Sequence, residues 1–298
     1  MMTETGKNKA DQALIVAMPA VFVLLWSTGF IGARLGLPHA EPATFLMIRF
    51  ALVAAILGLF SLIIGARWPR GRKTYLHLTV TGVLLHGLYL GGVFASISLG
   101  VEAGTSALIV GVQPVLTAIL AGPLLGERLK AGQWLGLTLG ISGVVLVVWD
   151  KLAAGIGTPF GVVLSVIALF GITLGTLYQK RFCADMDLRT GNTVQFVAAT
   201  AFLALFAFTL ETREVAWTGE FLFALGWLIF VLSLGAMTLM FLLIRRGAAS
   251  TFASLFFLVP VSTALIAWPL FGETFSLIAI GGMVLTAIGV WLVNRQPG

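Results

Sequence analysis

His86 and Tyr89 stand one helical turn apart inside an otherwise apolar stretch, 75–99. On a helix that spacing puts an imidazole and a phenol on one face. Together they could hydrogen-bond a small polar solute, and the imidazole could exchange a proton near neutrality. An equal reading is a packing histidine whose ring is satisfied by a neighbour. Other polar or aromatic side chains are set singly in similar surroundings. Trp26, Ser27, Thr28 and Phe30 fall near the middle of 14–37, although tryptophan normally marks the membrane–water boundary. Gln113 precedes Pro114 and could satisfy the backbone that the proline frees, or touch a solute. Tyr178 and Thr263 are further candidates. Arg49 lies in 43–66, where it either snorkels, pairs two helices or meets a solute. A cation at the centre of a membrane helix costs roughly 2.5–3.5 kcal/mol on insertion scales. These groups can bind, and they do not form a catalytic set. The chain has no GxSxG, HExxH or P-loop pattern and no acid deep in an apolar run. No enzyme activity and no cofactor or metal is expected.

The elements that must position these side chains follow from composition. Of 298 residues, 59% are apolar or aromatic and only 10% charged, with a mean hydropathy of +1.04. A water-soluble domain carries roughly a quarter charged residues, so lipid is the expected solvent. Ten apolar runs can be cut, at about 14–37, 43–66, 75–99, 103–124, 134–149, 160–182, 190–210, 220–243, 248–270 and 275–294. A run of about 20 residues crosses the roughly 30 Å hydrocarbon core as a helix. Continuous rather than alternating apolarity rules out barrel strands. The first run is too long for the core of a cleaved signal peptide. With the N-terminus in the cytoplasm, fourteen basic residues fall on the cytoplasmic side and three (Arg34, Lys151, Arg213) opposite. This places both termini in the cytoplasm and the chain in the cytoplasmic (inner) membrane. The net charge of +6 is spread over both ends and gathers on no soluble face, so nucleic acid is not an expected partner. The single cysteine, Cys183, excludes an internal disulfide and reads as a small residue at a helix end.

The chain also repeats itself. PVLTAILAGPLLGE (114–127) and PVSTALIAWPLFGE (260–273) share nine of fourteen residues at an offset of 146. At the same offset, 18 of 45 positions from Ala103 to Val147 are identical, and Gly29 pairs with Gly175, Arg34 with Lys180 and Phe50 with Phe196. Arg49 pairs with Gln195. Five runs make one copy, so the second must enter the membrane from the other side. Inverted copies of this kind place a solute site near the midplane between them. The domains expected are a cytoplasmic tail, 1–13, a first repeat, 14–150, a second, 151–294, and a tail, 295–298.

Pro114 and Pro260 fall at matching places mid-helix, each removing one backbone N–H. Their matched positions favour a hinge or gate over an incidental kink. Gly126-Glu127 and Gly272-Glu273 read as helix-ending turns with structural glutamates. Gly132, Gly136 and Gly140 in the fifth run, and Gly282 and Gly289 in the tenth, have the spacing of close helix packing. Gly87, Gly91, Gly171 and Gly175 repeat that pattern in the third and sixth.

Ten spans in two halves, each with a P…P-x-x-G-E segment and a glycine-patterned last helix, resemble the drug/metabolite transporter superfamily and its EamA-type group. LLWSTGFIGARLG (24–36) and FLMIRFALVAAIL (45–57) are similar to the family's first and second helices. Within the group the chain resembles the YddG-type amino-acid exporters. The resemblance implies an all-α membrane fold of ten helices in two inverted five-helix repeats around a central cavity, with the fifth and tenth helices set apart. It adds Phe256 and Phe257 to Trp26, Ser27, Phe30, His86, Tyr89, Gln113 and Tyr178 as cavity residues. It implies alternating-access export of small metabolites, amino acids with aromatic or apolar side chains foremost, by a monomer whose partners are its solute and the bilayer. A multidrug exporter is the alternative, and a membrane enzyme or assembly factor without transport a second one.

Overall fold

The computed structural model describes residues 4–101, 103–147, 149, 157–271 and 276–295. Ten helical stretches run through the described residues. They are α1 (Glu4–Gly36), α2 (Pro42–Ile63), α3 (Arg72–Ser98), α4 (Ala103–Val110 and Gln113–Leu125), α5 (Ala131–Val147), α6 (Pro159–Phe182), α7 (Leu188–Leu210), α8 (Gly219–Arg246), α9 (Ala249–Phe271) and α10 (Leu277–Arg295). Eight are long and apolar enough to cross a membrane, and α5 and α9 are shorter apolar helices. Each matches one expected run to within a few residues, apart from α1, which begins ten residues before its run. The expected boundary between the repeats at 150–151 falls outside the described residues, as do Gly272 and Glu273.

Helix ends are set by local chemistry. Thr158 and Thr218 cap α6 and α8, accepting from the backbone N–H groups of Gly161 and Phe221 at 3.2 Å each. Gly126 ends α4 in a left-handed conformation (φ 74°). There its N–H and that of Glu127 bond back to Gly122 and Ala121, the helix-ending turn that the Gly-Glu pair predicts. Asp187 caps α7, accepting from the N–H of Arg189 at 2.9 Å and from its guanidinium at 3.0 and 2.7 Å. Those bonds hold the Asp187 carboxyl down at a pKa of about 2. The depressed value stabilises the fold above the unfolded carboxyl's range near 3.9, and that contribution is lost as pH falls toward 2. Asp187→Ala is expected to cost about 1 kcal/mol near neutrality. The gap between the two melting curves should close between about pH 4 and pH 2.

Packing pairs each helix with a partner that respects the repeat. α2 lies along α7 and α5 along α10; α3 packs on α6 and α1 on α8; α4 packs on α6 and α1 on α9. Moving every label by five positions maps this pattern onto itself. Irregularities repeat as well. α3 contains a π-helical segment, Val83–Leu88, and α8 another, Leu228–Ala236; the offset of 146 carries the first inside the second. α4 breaks at Gly111–Val112, and α9 contains a 3-10 turn, Leu255–Phe257. Pro114 therefore stands in the first turn of a restarted helix, where its missing N–H has no partner to lose.

The α5–α10 seam is built on glycine. A Cβ on Gly289 would lie 2.5 Å from the Gly140 nitrogen and 2.6 Å from the Gly136 oxygen, and one on Gly136 2.7 Å from the Gly289 oxygen. The glycines of α3 and α6 divide their work. Gly171 approaches the α3 backbone at Tyr89 and Leu84, whereas Gly87 and Gly91 face Phe202 and Leu203 of α7.

Candidate functional site

One cleft is formed between α1, α2, α3 and α8. α1 contributes Trp26, Gly29, Phe30 and Ala33; α3 contributes Tyr89, Leu90, Val93 and Phe94; α8 contributes Leu232 and Met237. Arg49 is the cleft's single contribution from α2. These positions lie toward the end of the bundle where α1 turns into α2. The walls are aromatic and aliphatic. The Trp26 and Tyr89 rings stack nearly parallel, 4° apart, with centroids 6.3 Å apart. Phe256 meets Trp26 edge-on at 5.5 Å, and Phe22 and Phe252 complete the cluster that ties α1 to α9.

Arg49 is the cleft's charge. It is 2% exposed, its Nε donates to Ser233 Oγ at 3.1 Å, and its guanidinium lies 5.3 Å from the Phe50 ring centre. Ser233 sits within the π-helical segment of α8, a type of irregularity frequent at functional sites. Among the described residues no carboxylate pairs with Arg49. A buried cation without a counter-ion is costly, and an anionic group arriving in the cleft would offset that cost.

At the other end of the bundle, where Lys180, Arg181, Arg245 and Arg246 gather, hydrogen bonds and an ion pair tie the helices together. Glu127, at the end of α4, accepts from the backbone N–H of Ala249 at 2.7 Å and of Ser250 at 3.3 Å, and from the Ser250 hydroxyl at 2.9 Å. It thereby caps α9 across the seam between the two halves, and Lys180 of α6 pairs with the same carboxylate at 3.3 Å. Lys180 also donates to the Gly247 carbonyl and Arg245 to that of Met186, while Arg181 bonds the Leu124 carbonyl at 2.6 Å.

The expected residues divide accordingly. Trp26, Phe30 and Tyr89 line the cleft. Ser27 is buried in the α1–α9 contact, donating to the Val23 and Val259 carbonyls, and Thr263 donates to the Ser27 carbonyl at 3.4 Å. Phe256 backs the cleft, and Phe257 packs against Gly140 on α5. Tyr178 stands near the basic end, 2.7 Å from His77 Nδ1. Gln113 is fully buried on α4, with neither amide atom partnered, and the Thr117 hydroxyl one turn on is equally alone. His86 is buried against Phe196, with ring centroids 4.3 Å apart. It does not share the cleft with Tyr89, although regular helical spacing predicts one face. His86 lies inside the π segment, whose wider turn enlarges the angle between the two side chains. Gly29, Ala33, Leu232 and Met237 were not expected at the site, because nothing in their type separates a cleft wall from lipid contact or packing. Among the described residues no cluster of His, Cys, Asp and Glu could hold a metal.

Residues 13–149 and 159–295 each match the family model described as the EamA-like transporter family, and the two matches start 146 residues apart. The chain is 28% identical to an uncharacterized transporter, YvbV, of Bacillus subtilis over 97% of its length and 93% of the relative's. It is 27% identical to a probable terminal-alkyne amino-acid exporter of Streptantibioticus cattleyicolor over 97% and 94%. A solved crystal structure at 20% identity superposes with a TM-score of 0.76, covering 93% of this chain and 95% of that one.

Proposed function

The chain belongs to the EamA-like transporter family, and from that premise we propose that it exports small carboxylate-bearing metabolites, foremost amino acids with aromatic or apolar side chains, across the cytoplasmic membrane. The observation that carries this reading is a cleft that joins an aromatic wall to one buried guanidinium at one end of the bundle, while hydrogen bonds and an ion pair tie the helices together at the other. Arg49 receives the carboxylate, and Trp26, Phe30, Tyr89 and Phe94 receive the side chain. Pockets of this composition use many apolar contacts for affinity and few polar ones for orientation. That one relative is described as an amino-acid exporter supports the same cargo.

The transport cycle we propose is alternating access between two inverted five-helix repeats, 14–150 and 151–294. Five helices per copy and a packing pattern unchanged by a five-helix shift favour that arrangement. With the basic end in the cytoplasm, the cleft faces outward and the Glu127 clasp closes the cytoplasmic side. A multidrug exporter of cations fits less well, since the charge in the cleft has the wrong sign for such cargo.

Purified protein in liposomes is expected to move radiolabelled phenylalanine, leucine or tryptophan faster than empty liposomes. No flux across a broad amino-acid panel would overturn the reading. The breaks in α4 and α9 are the proposed hinges. Replacing Pro114 and Pro260 together by alanine removes the ring that bars each helix from running straight through its irregular turn, and flux should fall about tenfold or more, roughly the effect of 1.4 kcal/mol on a conformational step. Unchanged flux in the double variant would remove the prolines from the mechanism.

A further inference from the structure

The 146-residue offset can be applied to the cleft itself. It carries Arg49 to Gln195, Phe30 to Thr176 and Ala33 to Gln179, and in the reverse direction it carries Leu232 to His86. Those four image residues lie on α7, α6 and α3, which pack together, and each is at least 99% buried. Three of them meet in space, with Thr176 one turn before Gln179 on α6: Gln195 Nε2 donates to Gln179 Oε1 at 2.9 Å, and His86 stacks on Phe196, next to Gln195 in the chain. Independently of any symmetry, they hold a concentration of unsatisfied polar atoms. Thr176 Oγ1 is buried without a hydrogen-bond partner, and His86 and Gln195 face one another while neither ring nitrogen nor Gln195 Oε1 makes a bond at ordinary hydrogen-bond distance. Native proteins leave few such atoms, because each forfeits its bonds to water. Packing alone would fill these positions with apolar residues.

We infer that His86, Thr176, Gln179 and Gln195 form the second mouth of the passage, collapsed in this state, and that they bind the cargo's polar group once the basic end opens. This rests on the transport reading above. The two mouths differ in chemistry. The open one holds a carboxylate by charge, and the closed one offers neutral donors (amide N–H, hydroxyl and imidazole N–H) without a cation. The Glu127 clasp holds α6 at the basic end through Lys180, the residue next to Gln179, so releasing the clasp should expose the set. Its residues are buried here because α3, α6 and α7 pack together.

The test is chemical accessibility, which does not depend on knowing the cargo. In a Cys183→Ser background, Phe30→Cys reports the open cleft and Thr176→Cys the collapsed one. A membrane-impermeant thiol reagent, applied to each face of proteoliposomes in turn, reads each rate. With the clasp intact, Phe30→Cys should label and Thr176→Cys should be protected. Adding Glu127→Ala or, separately, Lys180→Met should raise the Thr176→Cys rate at least tenfold from the basic face and lower that of Phe30→Cys. Protection of Thr176→Cys in both backgrounds while Phe30→Cys slows would place the second mouth elsewhere and overturn the inference. No change at either position in either background would overturn it too. Simultaneous labelling of both positions would mean a continuous channel and would sink alternating access itself.

Discussion

Replacing Arg49 by glutamine is expected to weaken binding of a carboxylate cargo by about 30-fold or more, since losing one partner of a buried, hydrogen-bonded charge pair costs at least about 2 kcal/mol. The same variant should melt no earlier than the parent when cargo is absent. Both signs follow from one observation: the guanidinium is buried, touches Ser233 and Phe50, and has no carboxylate partner among the described residues. Removing a buried charge that lacks a counter-ion is neutral or stabilising, whereas breaking a buried pair is not. Tryptophan fluorescence reads the first effect, because Trp26 lines the cleft, and thermal unfolding in detergent reads the second. Phenylalaninamide, which has no carboxylate, should bind parent and variant equally. An equal loss for amide and carboxylate, or a lower melting midpoint without cargo, would make Arg49 a helix-pairing residue and not a cargo contact.

Gly289→Leu should lose about 3 kcal/mol of stability, the top of the usual range for overpacking. The added Cβ alone would enter the backbone of α5 at Gly136 and Gly140. Backbone atoms cannot rotate aside as a side chain can, so the two helices would have to separate along their length. Gly281, on the same helix, provides the control. A Cβ there meets nothing within 4 Å, and Gly281→Leu should stay within about 0.5 kcal/mol of the parent. Unfolding rates at fixed temperature are the safer measure for a membrane protein that unfolds irreversibly. Equal behaviour of the two variants would remove the seam from the account of stability.

The sequence made the helices legible because lipid demands long apolar runs and turns are marked by Pro, Gly and capping residues. Gly126-Glu127 was readable as a helix end for that reason. Glu127's second role was not, since capping α9 depends on a contact 122 residues away in the chain. The repeat was legible from identities near Pro114 and Pro260, yet the paired π segments carry no shared signature in VLLHGL and LIFVLSLGA. Of the candidate residues, the aromatic ones near mid-helix, Trp26, Phe30 and Tyr89, came to the cleft. Their aliphatic neighbours could not be foreseen. In a bilayer a leucine is at home against lipid, another helix or a cargo, so Leu232 in the cleft and Leu228 against Gly32 read alike.

The π segment in α3 has a consequence for which neighbours one helix can face. A regular α-helix advances about 100° per residue, which would bring His86 and Tyr89 to nearly the same bearing. The slack turn shifts the outer part of the rod out of phase with the inner part. The imidazole therefore packs on Phe196 of α7, whereas the phenol lines the cleft.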